Sequence, residues 1–344
     1  MNDRFLRACR RESVDATPVW FMRQAGRSLP EYRRVRERAT LAQIVADAPL
    51  CAEVTRQPVE RLGVDAAILF ADITTPLPGM GVDVTIVDGT GPVIARPVRT
   101  AADVASLRPF DADASVASLL EAIRLLRRDL AVPLIGFAGA PFTLASYLVE
   151  GRGSRDGAAL KGLLHGAPVV ADALFARLVD MTLAYLGAQV AAGVQAVQVF
   201  DSWIGVLGPH DYRRALLPHM RRLLAGLATL GVPVIHFGTG AAGMLPLLAE
   251  AGGDVIGVDW RIGLADAWRL VPDRAVQGNL DPTVLLSTWD ATEAQARWVL
   301  AEAAGRDGHV FNLGHGVLPS TDPDDLRRLV DLVHEHGRQA GDAA

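Results

Sequence analysis

Eight short apolar runs recur along this chain, each separated from the next by a stretch of helical periodicity. They fall at Val19–Met22, Ala66–Phe70, Pro133–Ala138, Ala196–Phe200, Val232–Phe237, Val255–Trp260, Ala275–Gly278 and Val310–Leu313. Between them, segments such as Ala117–Leu130, Val169–Ala192, Arg213–Leu230 and Thr292–Ala304 repeat apolar residues at helical spacing. Strand and helix in alternation imply parallel strands joined by crossover helices. Eight such units in 344 residues predict an α/β fold, a single (β/α)8 TIM barrel over residues 1–344 whose tail, 337–344, frays. The competing architecture is a doubly wound sheet, whose phosphate fingerprint GxGxxG is absent after the first strand. One segment breaks the rhythm. Val82–Val98 alternates around Asp88-Gly89-Thr90-Gly91 and predicts a β-hairpin inserted after the second strand.

Composition narrows the function. The net charge of -5 lacks the basic footprint of a general nucleic-acid binder, though a local arginine cluster remains free to bind an anion. The two cysteines, Cys9 and Cys51, make no CxxC and no disulfide framework. The start, MNDRFLRACR, lacks the apolar core of a signal peptide. The most apolar long run, Leu183 to Phe200, is interrupted by glycines and glutamines and reads as a buried helix followed by a strand. A soluble cytoplasmic protein with no membrane partner is expected. The single lysine, Lys161, sits in a polar helical segment outside any strand, which argues against Schiff-base chemistry.

In a barrel of this kind the site forms at the C-terminal ends of the strands. That rule gathers Arg23 and Arg27 around the Gln24-Ala25-Gly26 turn, Asp72, Thr143 with Tyr147, Asp201 with Ser202, His236, Asp259 with Arg261, Asn279 with Asp281, and His315 between two glycines. Two arginines on a Gly-containing loop suit a carboxylate or phosphate, because the guanidinium presents paired donors to an oxyanion. Plainer roles stand beside each reading. The arginines also serve to solvate a loop, Asp72, Asp201 and Ser202 to cap the segments after them, Tyr147 to fill the core with its hydroxyl at the rim, and His236 to pack inside its apolar strand. The set is distinguished by position: polar groups occur at the same end of nearly every strand. No HExxH motif or cysteine pair is present, so no metal is expected. No GxSxG nucleophile elbow occurs either.

Two long segments carry a resemblance. Trp20-Phe21-Met22-Arg23-Gln24-Ala25-Gly26-Arg27 with Leu29-Pro30-Glu31-Tyr32-Arg33, and Gly136-Phe137-Ala138-Gly139-Ala140-Pro141-Phe142-Thr143-Leu144 with Tyr147 and Gly151, resemble the two signatures of the uroporphyrinogen decarboxylase family. Phe70–Ile73, Phe200–Ser202, Gln277–Pro282 and Asn312–Gly316 extend the likeness over nearly the whole chain. The resemblance implies a single (β/α)8 barrel and a homodimer with facing clefts. It implies removal of the carboxyl groups of the four acetate arms of uroporphyrinogen III, giving coproporphyrinogen III, with no cofactor. By similarity Arg23, Gln24, Ala25, Gly26 and Arg27 grip substrate carboxylates. Asp72 faces the pyrrole NH groups as transition-state stabiliser, and Tyr147, Ser202 and His315 make the remaining contacts. Arg23, Arg27 and Tyr147 are the candidates for moving the proton.

Three departures stand out: Ser28 in place of an aromatic residue, Ala71 in place of a serine, and the segment His236-Phe237-Gly238-Thr239-Gly240. They are expected to alter the pocket's outer wall and to touch none of the implied contacts. Two other functions share parts of the pattern. One is a zinc-dependent corrinoid or thiol methyltransferase of the wider superfamily, which needs His and Cys ligands at the strand ends. The other is a non-catalytic tetrapyrrole-binding protein, which needs the arginines but not Asp72.

Overall fold

The computed structural model describes residues 1–26, 28–87 and 89–337. Arg27, the Asp88 position of the expected hairpin turn and the expected tail from 338 onward lie outside the described residues. Nine strands form: β1 (Ala67–Ile68), β2 (Val84–Val87), β3 (Gly91–Ile94), β4 (Leu134–Gly139), β5 (Ala196–Asp201), β6 (Val234–Gly238), β7 (Val255–Gly257), β8 (Ala275–Leu280) and β9 (His309–Leu313). Seven of them make one parallel sheet in the order β1-β4-β5-β6-β7-β8-β9. β2 and β3 pair antiparallel in a sheet of their own between β1 and β4 in the chain.

Helices fill the crossovers, among them Ala112–Asp129, Pro168–Ala192 and Trp289–Ala303. Pro168–Ala192 packs on β4 and β5 and Trp289–Ala303 on β8, and the strands of the sheet are buried along their length, reading as continuous apolar runs. The helix expected at Arg213–Leu230 divides. A π-helical turn, Tyr212–Leu216, precedes the α-helix Leu217–Ala228, where Pro218 removes a backbone donor.

The sheet is curled. Gln277 in β8 donates from Nε2 to Oε1 of Gln198 in β5 at 3.1 Å, across two intervening strands. In a flat sheet those strands would stand about 14 Å apart. Trp20 Nε1 reaches the same Gln277 at 3.0 Å, so the first apolar run faces the same interior.

That first run is where the sequence reading needs correction. Val19–Met22 is not a strand; it makes one parallel bridge, Val19 with Phe311. Its backbone bonds are nevertheless shared between both edges of the sheet. Phe311 N donates to Pro18 O at 2.9 Å on the β9 side, and Asp65 N donates to Val19 O at 2.8 Å just before β1. A side chain replaces the missing ladder: Asp65 Oδ2 accepts from Val19 N at 2.8 Å. Beyond Val19 the run turns away, since Met22 N is taken by Asn312 Oδ1 at 3.1 Å. The seventh strand in chain order is also shorter than expected. β7 ends at Gly257, leaving Asp259 and Trp260 in the loop.

Asp65 is the knot of this region. It is 2% exposed, yet it holds four donors. Oδ1 accepts from Asn2 Nδ2 at 3.1 Å and Arg4 Nη1 at 2.8 Å, and Oδ2 from Val19 N and from His334 Nε2 at 2.7 Å. Asp65→Ala is therefore expected to lower the unfolding free energy by about 3–5 kcal/mol, the usual cost of breaking a buried pair. Asp15→Ala, which removes only the exposed partner of Arg4, costs less than about 1 kcal/mol. Urea unfolding of the two variants checks the order; equal losses contradict it.

Candidate active site

The loop after the first run is built to hold one arginine in an unfavourable backbone conformation. Arg23 has φ 61°, which costs a residue with a Cβ about 1–2 kcal/mol. Hydrogen bonds on both sides keep it there. Gln24 N donates to Phe21 O at 3.0 Å, and Val317 N to Met22 O at 2.8 Å. The Gln24 side chain is fully buried. It accepts from Phe21 N at 3.0 Å and donates to Ala66 O at 2.9 Å, stapling the turn to the start of β1. Gly26 is required for a steric reason, because a Cβ there would lie 2.5 Å from Arg23 O. Arg23 itself is exposed.

Asp72 lies in the turn after β1 and is half-buried. Oδ1 accepts from Thr74 N at 2.8 Å and Thr74 Oγ1 at 2.5 Å, while Asp72 N donates to Thr75 Oγ1 at 3.0 Å. The capping role is thus real, but it uses one oxygen. Oδ2 has no donor among the described residues.

The Tyr147 helix and the segment Asp201–Trp203 are tied together through Thr143. Tyr147 rides on the helix Pro141–Glu150, one turn beyond Thr143. The Thr143 hydroxyl donates to Asp201 Oδ1 at 2.8 Å and accepts from Trp203 N at 3.1 Å. The Trp203 ring then meets Tyr147 edge-on, with centroids 6.1 Å apart. Burial raises the Tyr147 phenol above its ordinary range; the Trp203 contact opposes this, the Asp72 charge adds to it, and Arg23 opposes it. Tyr147 therefore sits within the fields of both Asp72 and Arg23. Asp201, fully buried at the end of β5, is pushed up to about 7 by burial, against its bonds to Thr143.

His315 occupies the turn after β9. Gly316 N donates to its Nδ1 at 2.7 Å, so Nε2 carries the ring proton. Burial first, and then the Arg23 charge, push the imidazole down to about 4, so it is a neutral donor at pH 7. The flanking glycines admit close neighbours. A Cβ on Gly316 would fall 2.5 Å from Arg23 Cδ. Arg23, Asp72, Tyr147 and His315 thus share one electrostatic neighbourhood, with Ser202 joined to it through Trp203.

Two of the other strand-end candidates, His236 and Asp281, make structural contacts. His236 is buried within β6 and pushed down to about 4 by burial. Asp281 caps the turn at Thr283. Lys161 donates to Val206 O at 3.4 Å, in the turn Ile204–Val206 that follows β5. Sequence reasoning missed Trp203, Asn312 and the bracing role of Gln24. Trp203 was the most legible of the three, being a large ring directly after Asp201-Ser202. The expectation that the 236–240 departure touches no site contact needs correction: Thr239 Oγ1 donates to Ser202 O at 2.5 Å. Ser28 and Ala71 are both withdrawn from solvent, Ser28 almost completely. A cavity of about 360 Å³ opens beside Asp72, walled by Thr74, Thr75, Val84, Ile86 and Ser115; Arg23, Tyr147, Ser202 and His315 do not line it.

Among the described residues no group of three His, Cys, Asp or Glu side chains could hold a metal ion. Cys9 and Cys51 are buried, and burial raises both thiols, Cys51 to about 12.

A curled parallel sheet that gathers arginines, carboxylates, a phenol and an imidazole at the C-terminal ends of its strands defines an α/β protein with its candidate site at one end of the sheet. A family model described as uroporphyrinogen decarboxylase matches residues 1–336. The chain is 56% identical over 332 residues to the uroporphyrinogen decarboxylase of Streptomyces coelicolor, covering 96% of this chain and 93% of the relative. It is 52% identical over 335 residues to that of Thermus thermophilus, covering 97% and 98%. The chain belongs to the uroporphyrinogen decarboxylase family. Among solved structures, a methyltransferase from Methanosarcina mazei superposes with TM-score 0.78 at 21% identity, covering 97% of this chain and 98% of the other. A B12-independent methionine synthase from Shewanella gives 0.58 at 12% identity, covering 87% and 89%. Both are likenesses of fold alone.

Buried histidines set the acid limit. His236, His309 and His315 are each held near 4, against about 6.5 in the unfolded chain. Below about pH 6.5 the unfolded state takes up protons that the folded state refuses, so stability falls between about pH 6.5 and 4. Asp201 runs the other way, costing stability as the pH rises from about 4 towards 7. Three imidazoles outweigh one carboxyl. The urea midpoint at pH 5 is expected below that at pH 7; an equal or higher midpoint contradicts the assignment.

Proposed function

We propose that this chain converts uroporphyrinogen III to coproporphyrinogen III by removing the carboxyl groups of four acetate arms. As a member of its family it is a decarboxylase of tetrapyrrole biosynthesis. The observation that carries the residue-level reading is Asp72: a carboxylate whose Oδ2 has no donor among the described residues and whose charge, with that of Arg23, acts on the neutral Tyr147 phenol.

The chemistry suits that arrangement. Losing carbon dioxide from an acetate arm leaves an electron pair that needs an acceptor. Protonating the pyrrole at its α-carbon makes a cationic ring, and the pair left by the departing carboxylate flows into it. A second proton then turns the freed methylene into a methyl group, and the α-carbon gives up the first proton to restore the pyrrole, a net uptake of one proton for each carbon dioxide lost. The substrate supplies its own electron sink, so this reading calls for no cofactor and no metal. Asp72 Oδ2 is free to accept from the pyrrole NH groups and to stabilise the cation, an electrostatic effect available before the reaction begins. Arg23 and Arg27 hold acid arms, Ala25 and Gly26 add backbone amides, and Gln24 braces the turn. Ser202 and His315 Nε2 complete the contacts. The raised Tyr147 phenol keeps its proton at pH 7 and is a better proton donor than a guanidinium, which is a far weaker acid.

We place these residues in a complete (β/α)8 barrel forming one domain over residues 1–344. Pro18–Val19 acts as its eighth stave and the β2–β3 hairpin as an insertion. No helix among the described residues is long and apolar enough to cross a membrane. We assign the protein to the cytoplasm as a homodimer with facing clefts, with no nucleic-acid or membrane partner.

Anaerobic incubation with uroporphyrinogen III, followed by chromatography of the oxidised products, should show stepwise loss of four carboxyl groups. Intact substrate after that incubation sinks the proposal. Asp72→Asn keeps the shape but not the charge. It should lower kcat by roughly 100- to 1000-fold, the size of losing one preorganised electrostatic group, with KM changed less than threefold. A variant with wild-type kcat would mean that Asp72 only caps its turn.

A further inference from the structure

The corner beyond β7 carries a guanidinium that the reaction as described leaves unused. Asp259, only 3% exposed, organises it. Oδ2 accepts from Gly240 N at 2.6 Å and pairs with Arg261 Nη1, and Oδ1 accepts from Arg261 N at 3.1 Å. The guanidinium also lies over the Trp260 ring, 4.4 Å from its centroid. Asn279 fixes the loop at both ends, donating from Nδ2 to Asp259 O at 3.0 Å and Ile262 O at 2.7 Å. Pairing and stacking thus hold the Arg261 side chain in place although it remains 52% exposed. Its Nε and Nη2 have no acceptor among the described residues.

The two glycines around His315 say where this corner lies. A Cβ on Gly314 would fall 2.6 Å from Trp260 N, and one on Gly316 would fall 2.5 Å from Arg23 Cδ. The His315 turn is therefore wedged between the Trp260 loop on one side and Arg23 on the other. Both Arg23 and Arg261 act on the imidazole, each helping to keep it neutral, with Asp259 opposing.

We propose that Arg261 is a second carboxylate-binding residue, taking an acid arm of the tetrapyrrole on the side of His315 away from Arg23. The inference rests on the decarboxylase reading, which supplies a polycarboxylate ring as ligand. A ring with acid arms around its whole edge needs grips on more than one side, and the turn of Arg23 and Arg27 provides one. The free edge of a held, half-exposed guanidinium provides another at little entropic cost.

The test uses uroporphyrin, the oxidised ring that keeps every carboxylate and does not react, titrated by quenching of protein fluorescence. Steady-state kinetics with uroporphyrinogen III run alongside. Arg261→Gln should raise Kd and KM about tenfold, the worth of one charge-assisted hydrogen bond, moving KM more than kcat. Arg261→Lys, which keeps the charge and loses the fork, should fall between. In Arg261→Gln the His315 imidazole, followed by NMR, should titrate at higher pH, because Asp259 then acts on it without the opposing charge. Wild-type Kd in a folded Arg261→Gln protein overturns the inference. So does a weakened Kd accompanied by a change in sedimentation coefficient, which would give Arg261 to a contact between copies of the chain. Failure of the decarboxylase reading looks different: wild-type protein would then bind uroporphyrin yet leave uroporphyrinogen III intact.

Discussion

Asp65 is a carboxylate taken almost wholly out of water, and the two ends of the chain meet on it. Its four donors come from the N-terminal segment, the first apolar run, and the helix Pro323–His336. Isolating a charge this way is costly unless every lone pair is used, and here each oxygen takes two donors. The result holds Pro18–Val19 between β9 and the start of β1, the one place where regular strand pairing lapses. Arg23 comes four residues after Val19. The position of the arginine turn thus depends on a buried ion cluster well below it in the sheet.

Above that cluster, the site is held by side chains that do no chemistry. Gln24 ties the arginine turn to Ala66, Asn312 ties it to β9, and Thr143 ties the Tyr147 helix to Asp201 and Trp203. Each uses a buried polar group to fix a loop against a strand end, which gives loop residues the precision of the sheet. The strained backbone of Arg23 is tolerable for the same reason: its neighbours leave the turn no better arrangement.

Electrostatically, the site separates its roles by protonation state. Burial and the Arg23 charge keep His315 neutral, and burial keeps Tyr147 protonated. In the proposed reaction Asp72 supplies a negative charge facing a ring that becomes positive. A protonated His315 at that place would oppose the same cation, so its lowered pKa fits the reaction.

Much of this was legible in the chain. Apolar runs of strand length located all seven strands of the large sheet, because parallel strands buried on both faces must be apolar throughout. The rule that sites gather at strand ends placed Asp72, Ser202 and His315 in the segments after their strands, and Tyr147 in the helix that follows β4. The first run misled because Val19–Met22 is as apolar as a strand, while its pairing depends on Asp65, forty-six residues away by sequence. Nothing in the stretch Leu62–Ile68 marks that aspartate as different from a loop residue. The same limit hid the contact from Thr239 to Ser202 and the wedge of His315 between Trp260 and Arg23. Periodicity and residue type report what a segment needs from its surroundings: burial, a turn, a partner. The sequence by itself therefore determined the strand–helix alternation and the chemical types available at the rim. Which groups would meet, and which histidine would be held neutral, was decided by the curl of the sheet, since only that curvature brings residues from distant strands within hydrogen-bonding reach.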